Sequence, residues 1–319
     1  MTPRRSIVMF GPALVFAAAA LWATDAPLRS HLTQGLSSNF IVLSEHIISC
    51  LIAIPILFFN WANLKNISGR EWLAILFIGV FGSALAAVAF TESFHYVNPS
   101  VSIVLQKIQP LIAIALAWWI LGERMHKNFW LWTIVALGAA YLVSFPNLVP
   151  QLYEGEIFNP NMIGSLLALT AAALWGASTV FGKYVLRTAA FQTLTSLRFV
   201  VGLIFLIILN AAQGTFPAAG TVTGTDIFFL IIVALTSGVF SLFLYYYGLQ
   251  FTKASIATIA ELGFPLAAVF VNAYFIPGNQ AAGTYFGLFV GQWIGTVLLL
   301  LAMFMLSRVN QETQAVATQ

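Results

Sequence analysis

The sequence predicts an all-α membrane protein of ten transmembrane helices, arranged as two inverted five-helix repeats. Three observations predict it. Of 319 residues, 60% are hydrophobic and 7% charged, against about 25% charge in ordinary soluble domains, and the mean hydropathy is +0.92. Ten apolar runs long enough to span a bilayer follow one another. Landmarks of the first half also return in order in the second: Trp22 as Trp175, Pro110 as Pro265 and Gly138 as Gly295, at spacings that drift only from 153 to 157 residues.

Each run needs about 20 apolar residues to cross a hydrocarbon core about 30 Å thick. Only helices and closed barrels satisfy their backbone amides in lipid, and these runs are too long and continuous for barrel strands. They lie near 8–27, 40–60, 72–91, 100–121, 129–146, 162–182, 193–212, 226–247, 255–276 and 285–306. Arg4 and Arg5 ahead of the first run resemble the start of an export signal. The repeat, however, requires that run as the partner of the sixth, where Ala18-Ala19-Ala20-Leu21-Trp22 recurs as Ala171-Ala172-Ala173-Leu174-Trp175. The polar stretches near 147–161 and 213–226 are loop-sized. The expected organisation is a first repeat over 1–147, a second over 160–308 and a cytoplasmic tail over 309–319. Five spans per repeat is an odd number, so the second copy enters the membrane from the opposite side.

With the N-terminus in the cytoplasm, Arg4, Arg5, Lys65, Arg70, Arg124, Lys127, Lys183, Arg187, Lys253 and Arg308 fall inside and Arg29 alone outside. That bias sets the orientation: a multi-pass bacterial inner-membrane protein with both termini cytoplasmic.

Charges within spans are expensive, at about 2.5–3.5 kcal/mol each on insertion scales, and need a reason. Asp25 and Glu92 close the outer ends of their spans, Glu45 and His46 lie a little over a turn deeper, and Lys107 is deeper still. Lys183, Arg198 and Glu261 lie toward the inner face. Two gating or ion-coupling networks are expected, Asp25, Glu45, Glu92 and Lys107 outside and Lys183, Arg198 and Glu261 inside, with Glu261 able to titrate and couple transport to protons. Pro110 and Pro265 sit mid-span, where proline removes an amide donor and breaks a helix. Paired broken helices mark binding sites in transporters with repeats. Trp22, Phe90, Tyr96, Trp175 and Tyr246, with Gln106, Lys107 and Glu261, are the expected substrate-binding set, since aromatic faces take organic cations and planar metabolites. Gly283, Gly287, Gly291 and Gly295 form a four-residue ladder suited to close helix packing or a dimer contact.

The chain resembles the drug/metabolite transporter superfamily, and within it the EamA-type group. The resemblance is carried by Trp175-Gly176 with Lys183 at the end of that span, and by Phe90 to Arg124 with Tyr96, Ser100, Pro110 and Leu121-Gly122-Glu123-Arg124. It continues in Tyr247-Gly248-Leu249 through Ser255, Pro265 and Pro277. It covers nearly the whole chain and implies export or exchange of a small molecule by alternating access, without catalytic chemistry. Departures are Ala23 after Trp22, Gln280 where the first half has Glu123, and the charges Glu92 and Lys107. They fall near the presumed cavity, so no substrate is carried over from relatives.

Neither metal nor cofactor is expected: no His-Glu-x-x-His occurs and the four histidines are scattered. An intramembrane enzyme is the alternative of another class, and nothing suggests nucleic acid. The expected partners are a small-molecule substrate and the lipid bilayer, with the protein a monomer or homodimer. Lys107 among nearby carboxylates favours an amino-acid-like zwitterion, whereas the aromatic set with outer carboxylates suits a quaternary amine or cationic drug.

Overall fold

Hydropathy and length translate into helices directly. In the computed structural model, which describes residues 3–97, 99–125, 127–144, 161–218, 220–275 and 290–316, nine helices are long and apolar enough to cross a membrane. They are α1 (Phe10–Leu32), α2 (Ser38–Phe59), α3 (Gly69–Ser93), α4 (Val101–Leu121), α6 (Met162–Val185), α7 (Phe191–Gln213), α8 (Gly224–Gln250), α9 (Ala254–Val271) and α10 (Val290–Val309). The tenth, α5 (Lys127–Ser144, 18 residues), begins on a lysine and an asparagine that lower its hydropathy. No strand occurs among the described residues. The protein is thus an all-α membrane protein of two repeated five-helix units.

Packing follows the repeat. α2 lies against its counterpart α7 and α5 against α10, while α1 crosses to α8 and α9, and α6 to α3 and α4. Small residues permit these approaches, as in lipid generally. A β-carbon at Gly202 would lie 2.8 Å from His46 Nε2, and one at Gly295 would lie 2.7 Å from the Ala139 carbonyl. The described end of the glycine ladder therefore serves the bundle interior; Gly283 and Gly287 lie outside the described residues. A β-carbon at Gly82 would collide with Ser178. Gly82→Ala is expected to cost about 1–3 kcal/mol. In that background Ser178→Gly should recover part of the loss; additive melting-point losses would show that the contact is not responsible.

Two ends differ from expectation. α1 continues past residue 27 because a turn at Ala23–Thr24 is followed by the helix Asp25–Leu32. The last helix runs on to Val316 rather than stopping near 306. Inside the bundle, α4 and α9 are interrupted at matching places. The helix Pro99–Leu105 gives way to a tight turn at Gln106–Ile108 before Gln109–Leu121. Ala254–Ala260 likewise gives way at Glu261–Leu262 before Gly263–Phe275. Proline explains both: its ring excludes the carbonyl four residues earlier, which is Gln106 for Pro110 and Glu261 for Pro265. α3 and α8 each carry a π-helical stretch, at Ile78–Leu85 and Ala234–Phe240. These widened turns contain the pairs Gly82-Ser83 and Ser237-Gly238 and aim them inward, a device frequent at functional sites.

The two broken helices are not packed alike. Every residue of Ala254–Ala260 is buried. In the equivalent stretch, only Ser102 is buried among residues 101–105.

Candidate substrate-binding cavity

The breaks in α4 and α9 meet at a cavity of about 150 Å³ in the bundle interior. Its apolar walls are two aromatic pairs at equivalent repeat positions. Trp22 stands against Tyr245 with ring centroids 5.5 Å apart, and Trp175 against Phe90 at 5.3 Å. Trp22 is held by donating from Nε1 to Ser241 Oγ at 2.9 Å.

The polar lining falls into three groups. The first is a triad of buried Arg29 and Glu45 with half-buried Asp25. Arg29, only 4% exposed, donates from Nε and Nη2 to the two Asp25 carboxylate oxygens, both at 2.9 Å. It also donates to Glu45 at 3.0 Å and to Thr91 Oγ1 at 2.7 Å. The second group is built on Arg198, which donates to Tyr246 Oη at 2.9 Å, to the Gly82 carbonyl at 3.1 Å and to Ser83 Oγ at 3.2 Å. His46, its repeat counterpart, reaches the same Ser83 at 2.9 Å. The third is Glu261, at the break of α9. Oε1 accepts from Tyr245 Oη at 2.7 Å and Thr179 Oγ1 at 3.2 Å, and Oε2 accepts from the Gln109 amide. Arg198 and Glu261 are 7% and 9% exposed, and among the described residues neither has an opposite charge within 4 Å.

The expected site residues therefore part company. Trp22, Phe90, Gln106, Trp175, Tyr246 and Glu261 line the cavity, as do Asp25, Glu45 and Arg198. Tyr96 does not: it lies in the turn beyond α3, 38% exposed, against the start of α6 at Gly164. Glu92 is two residues from Phe90 and so on another helix face, with its carboxylate near His95 at 4.0 Å instead of in the triad. Lys107 turns toward α5, donating to Ser144 Oγ, and lines a smaller cavity between α4 and α9. Lys183 stands apart from Arg198 and Glu261, because its ammonium caps the end of α8 through the carbonyls of Leu249 and Gln250, each at 2.9 Å. The two expected networks thus become an Arg29-centred triad and two separate buried charges. Arg29 was read as a loop residue; its only signal was Asp25 one turn earlier. Gln109, Thr179 and Tyr245 meet at Glu261 through contacts between helices that the order of the sequence does not show.

At the other end of the bundle from the triad, contacts gather around Glu123. α4 ends on Gly122 in the left-handed conformation (φ 67°), a position that favours glycine. This swings Glu123 onto the start of α9. Its carboxylate accepts from the amides of Ala254 and Ser255 at 2.8 and 3.0 Å and from Ser255 Oγ at 2.6 Å. Lys253 Nζ donates to the Arg124 carbonyl at 3.1 Å and Arg187 to that of Leu121 at 3.1 Å. The fully buried helix Ala254–Ala260 lies between this latch and Glu261. Among the described residues no three His, Cys, Asp or Glu side chains gather as a metal site.

Paired broken helices around a buried aromatic and polar cavity, inside a bundle of two repeated units, define a membrane transporter. The chain belongs to the EamA-like transporter family, whose sequence model matches residues 9–145 and again 162–308. It is 30% identical over 308 residues to the riboflavin transporter ImpX of Fusobacterium nucleatum subsp. nucleatum, covering 94% of this chain and 98% of that protein. It is 26% identical to the uncharacterized inner membrane transporter YicL of Salmonella typhimurium, over 92% and 93% of the two chains. A solved crystal structure shares the fold with a TM-score of 0.70 at 13% identity, covering 92% of this chain and 94% of that one.

Proposed function

We propose that this transporter moves a small, flat, polar heteroaromatic compound of the riboflavin kind across a bacterial inner membrane by alternating access, with both termini cytoplasmic. The observation that carries the reading is the cavity wall. Two tryptophan-centred pairs, Trp22–Tyr245 and Trp175–Phe90, flank the helix breaks and offer slabs to a planar ring. The riboflavin transporter among its relatives supports the same class. Glu261, buried on a helix break, is the group through which protons would couple to movement.

An amino-acid-like zwitterion is the second reading. Its support is no longer Lys107 but Arg198 and Glu261, which would receive a carboxylate and an ammonium. Thermal unfolding in mild detergent separates the two. A ligand that binds only the folded state stabilises it by about 2.7 kcal/mol at a hundredfold excess over Kd. Riboflavin is expected to raise the melting temperature, and the rise is expected to vanish in Trp22→Ala and in Trp175→Ala. Stabilisation by amino acids with none by riboflavin would reverse the order of the two readings.

A further inference from the structure

Arg198 and Glu261 ask for more than a flat ring. Charges inside a membrane protein pair with one another or mark a substrate path, and these two line one cavity with no ion pair to either within 4 Å among the described residues. Their environments are built to hold them in place. Arg198 spends three of its guanidinium donors on Tyr246, Gly82 and Ser83, leaving two of five unused. Glu261 accepts three hydrogen bonds, from Tyr245, Thr179 and Gln109, leaving acceptor capacity on a carboxylate that has about four lone-pair sites. Their anchors are consecutive residues: Tyr246 holds Arg198 and Tyr245 holds Glu261, with ring centroids 5.3 Å apart. A donor pole and an acceptor pole therefore line the same cavity, together with the ring of Trp22, which lies tilted against Tyr245.

We infer that Arg198 and Glu261 read a single edge of the cargo, one that presents a carbonyl beside a ring N–H, so that the substrate class is a lactam- or imide-edged heteroaromatic. The inference rests on the cavity reading above and adds the edge to it. The carbonyl accepts from the free Arg198 donors and the N–H donates to Glu261. An amine-only ring offers nothing to Arg198, and a ring bearing only acceptors leaves Glu261 without a donor. Buried polar groups left unmatched in this way are what give hydrogen-bonding sites their selectivity.

The edge can be altered without touching the protein. Riboflavin carries such an imide, and 3-methylriboflavin blocks its N–H while keeping the ring. Binding of both to purified wild-type protein is measured by thermal shift and by quenching of flavin fluorescence. Methylation is expected to weaken binding by about tenfold to a hundredfold, the worth of one hydrogen bond to a charged group. In Glu261→Leu, which offers no acceptor, the two flavins are expected to bind alike, and in Glu261→Gln, which keeps an acceptor oxygen, the difference is expected to shrink without vanishing. Equal binding of both flavins to wild type, lost together in Trp175→Ala, would overturn the edge inference and leave the cavity reading standing. Absence of binding by either flavin would overturn both.

Discussion

Replacing Arg29 with alanine is expected to destabilise the folded bundle by about 3–5 kcal/mol, the range for removing one member of a buried ionic group. The guanidinium grips Asp25 with two hydrogen bonds and also serves Glu45 and Thr91. Without it, the buried Glu45 and half-buried Asp25 carboxylates face each other with no counter-charge, and the end of α1 loses its tie to α2 and α3. Thermal unfolding in detergent reads the loss. Adding Asp25→Asn and Glu45→Gln to Arg29→Ala removes the charges left behind and should recover much of it. If Arg29→Ala melts with wild type, the triad is a surface feature in energetic terms and its place in the bundle interior means little.

A second large effect is expected at the opposite face. Glu123→Ala removes three hydrogen bonds from the first turn of α9, each worth about 1.5–3 kcal/mol when a partner is charged, and a carboxylate from a helix start that favours one. A cysteine at position 258, where Thr258 is fully buried and borders the smaller cavity, reports the result once Cys50, the single native cysteine, is replaced by serine. Its reaction with a water-soluble maleimide is expected to quicken at least about tenfold in Glu123→Ala. Glu123→Gln, which keeps an acceptor oxygen, is expected to fall between. An unchanged rate in Glu123→Ala would mean that Ala254–Ala260 is held by its packing alone.

Depth along each helix was legible in the sequence, and the direction a side chain faces was not. The hydrophobic runs located the spans to within a few residues, and Pro110 and Pro265 located the breaks, because the exclusion of the carbonyl four residues back is local chemistry. Azimuth is a different matter. In lipid the outer face of a helix is as apolar as the inner one, so the contrast that orients a helix in water is missing. That is why Glu92 is expected in one network with Asp25 and Glu45 although it lies two residues, and so another helix face, from the cavity-lining Phe90, and why Lys107 is expected in a cavity that it borders only through a side chamber. Lys183 shows another limit: its long stem let the ammonium travel to the end of α8. Arg29 escaped because the turn at Ala23–Thr24 looks like the end of a span when it is a bend within one. The π-helical turns in α3 and α8 had only their glycine–serine pairs to announce them.

The unequal burial of the stretches Pro99–Leu105 and Ala254–Ala260 has a consequence for energy as well as shape. The two belong to repeated units, so each displays a packing that is sterically open to the other. Under the proposed alternating access, interchanging them would move about 10 Å of buried helix, at 1.5 Å per residue, from one membrane face to the other. The closer the repeat is to symmetric, the smaller the energy difference between two such states would be. What separates them is confined to places where the halves differ, such as the Arg29 triad against the lysine cap at Lys183. A carrier that alternates in this way would be reversible, with the direction of net flow set by the gradients across the membrane.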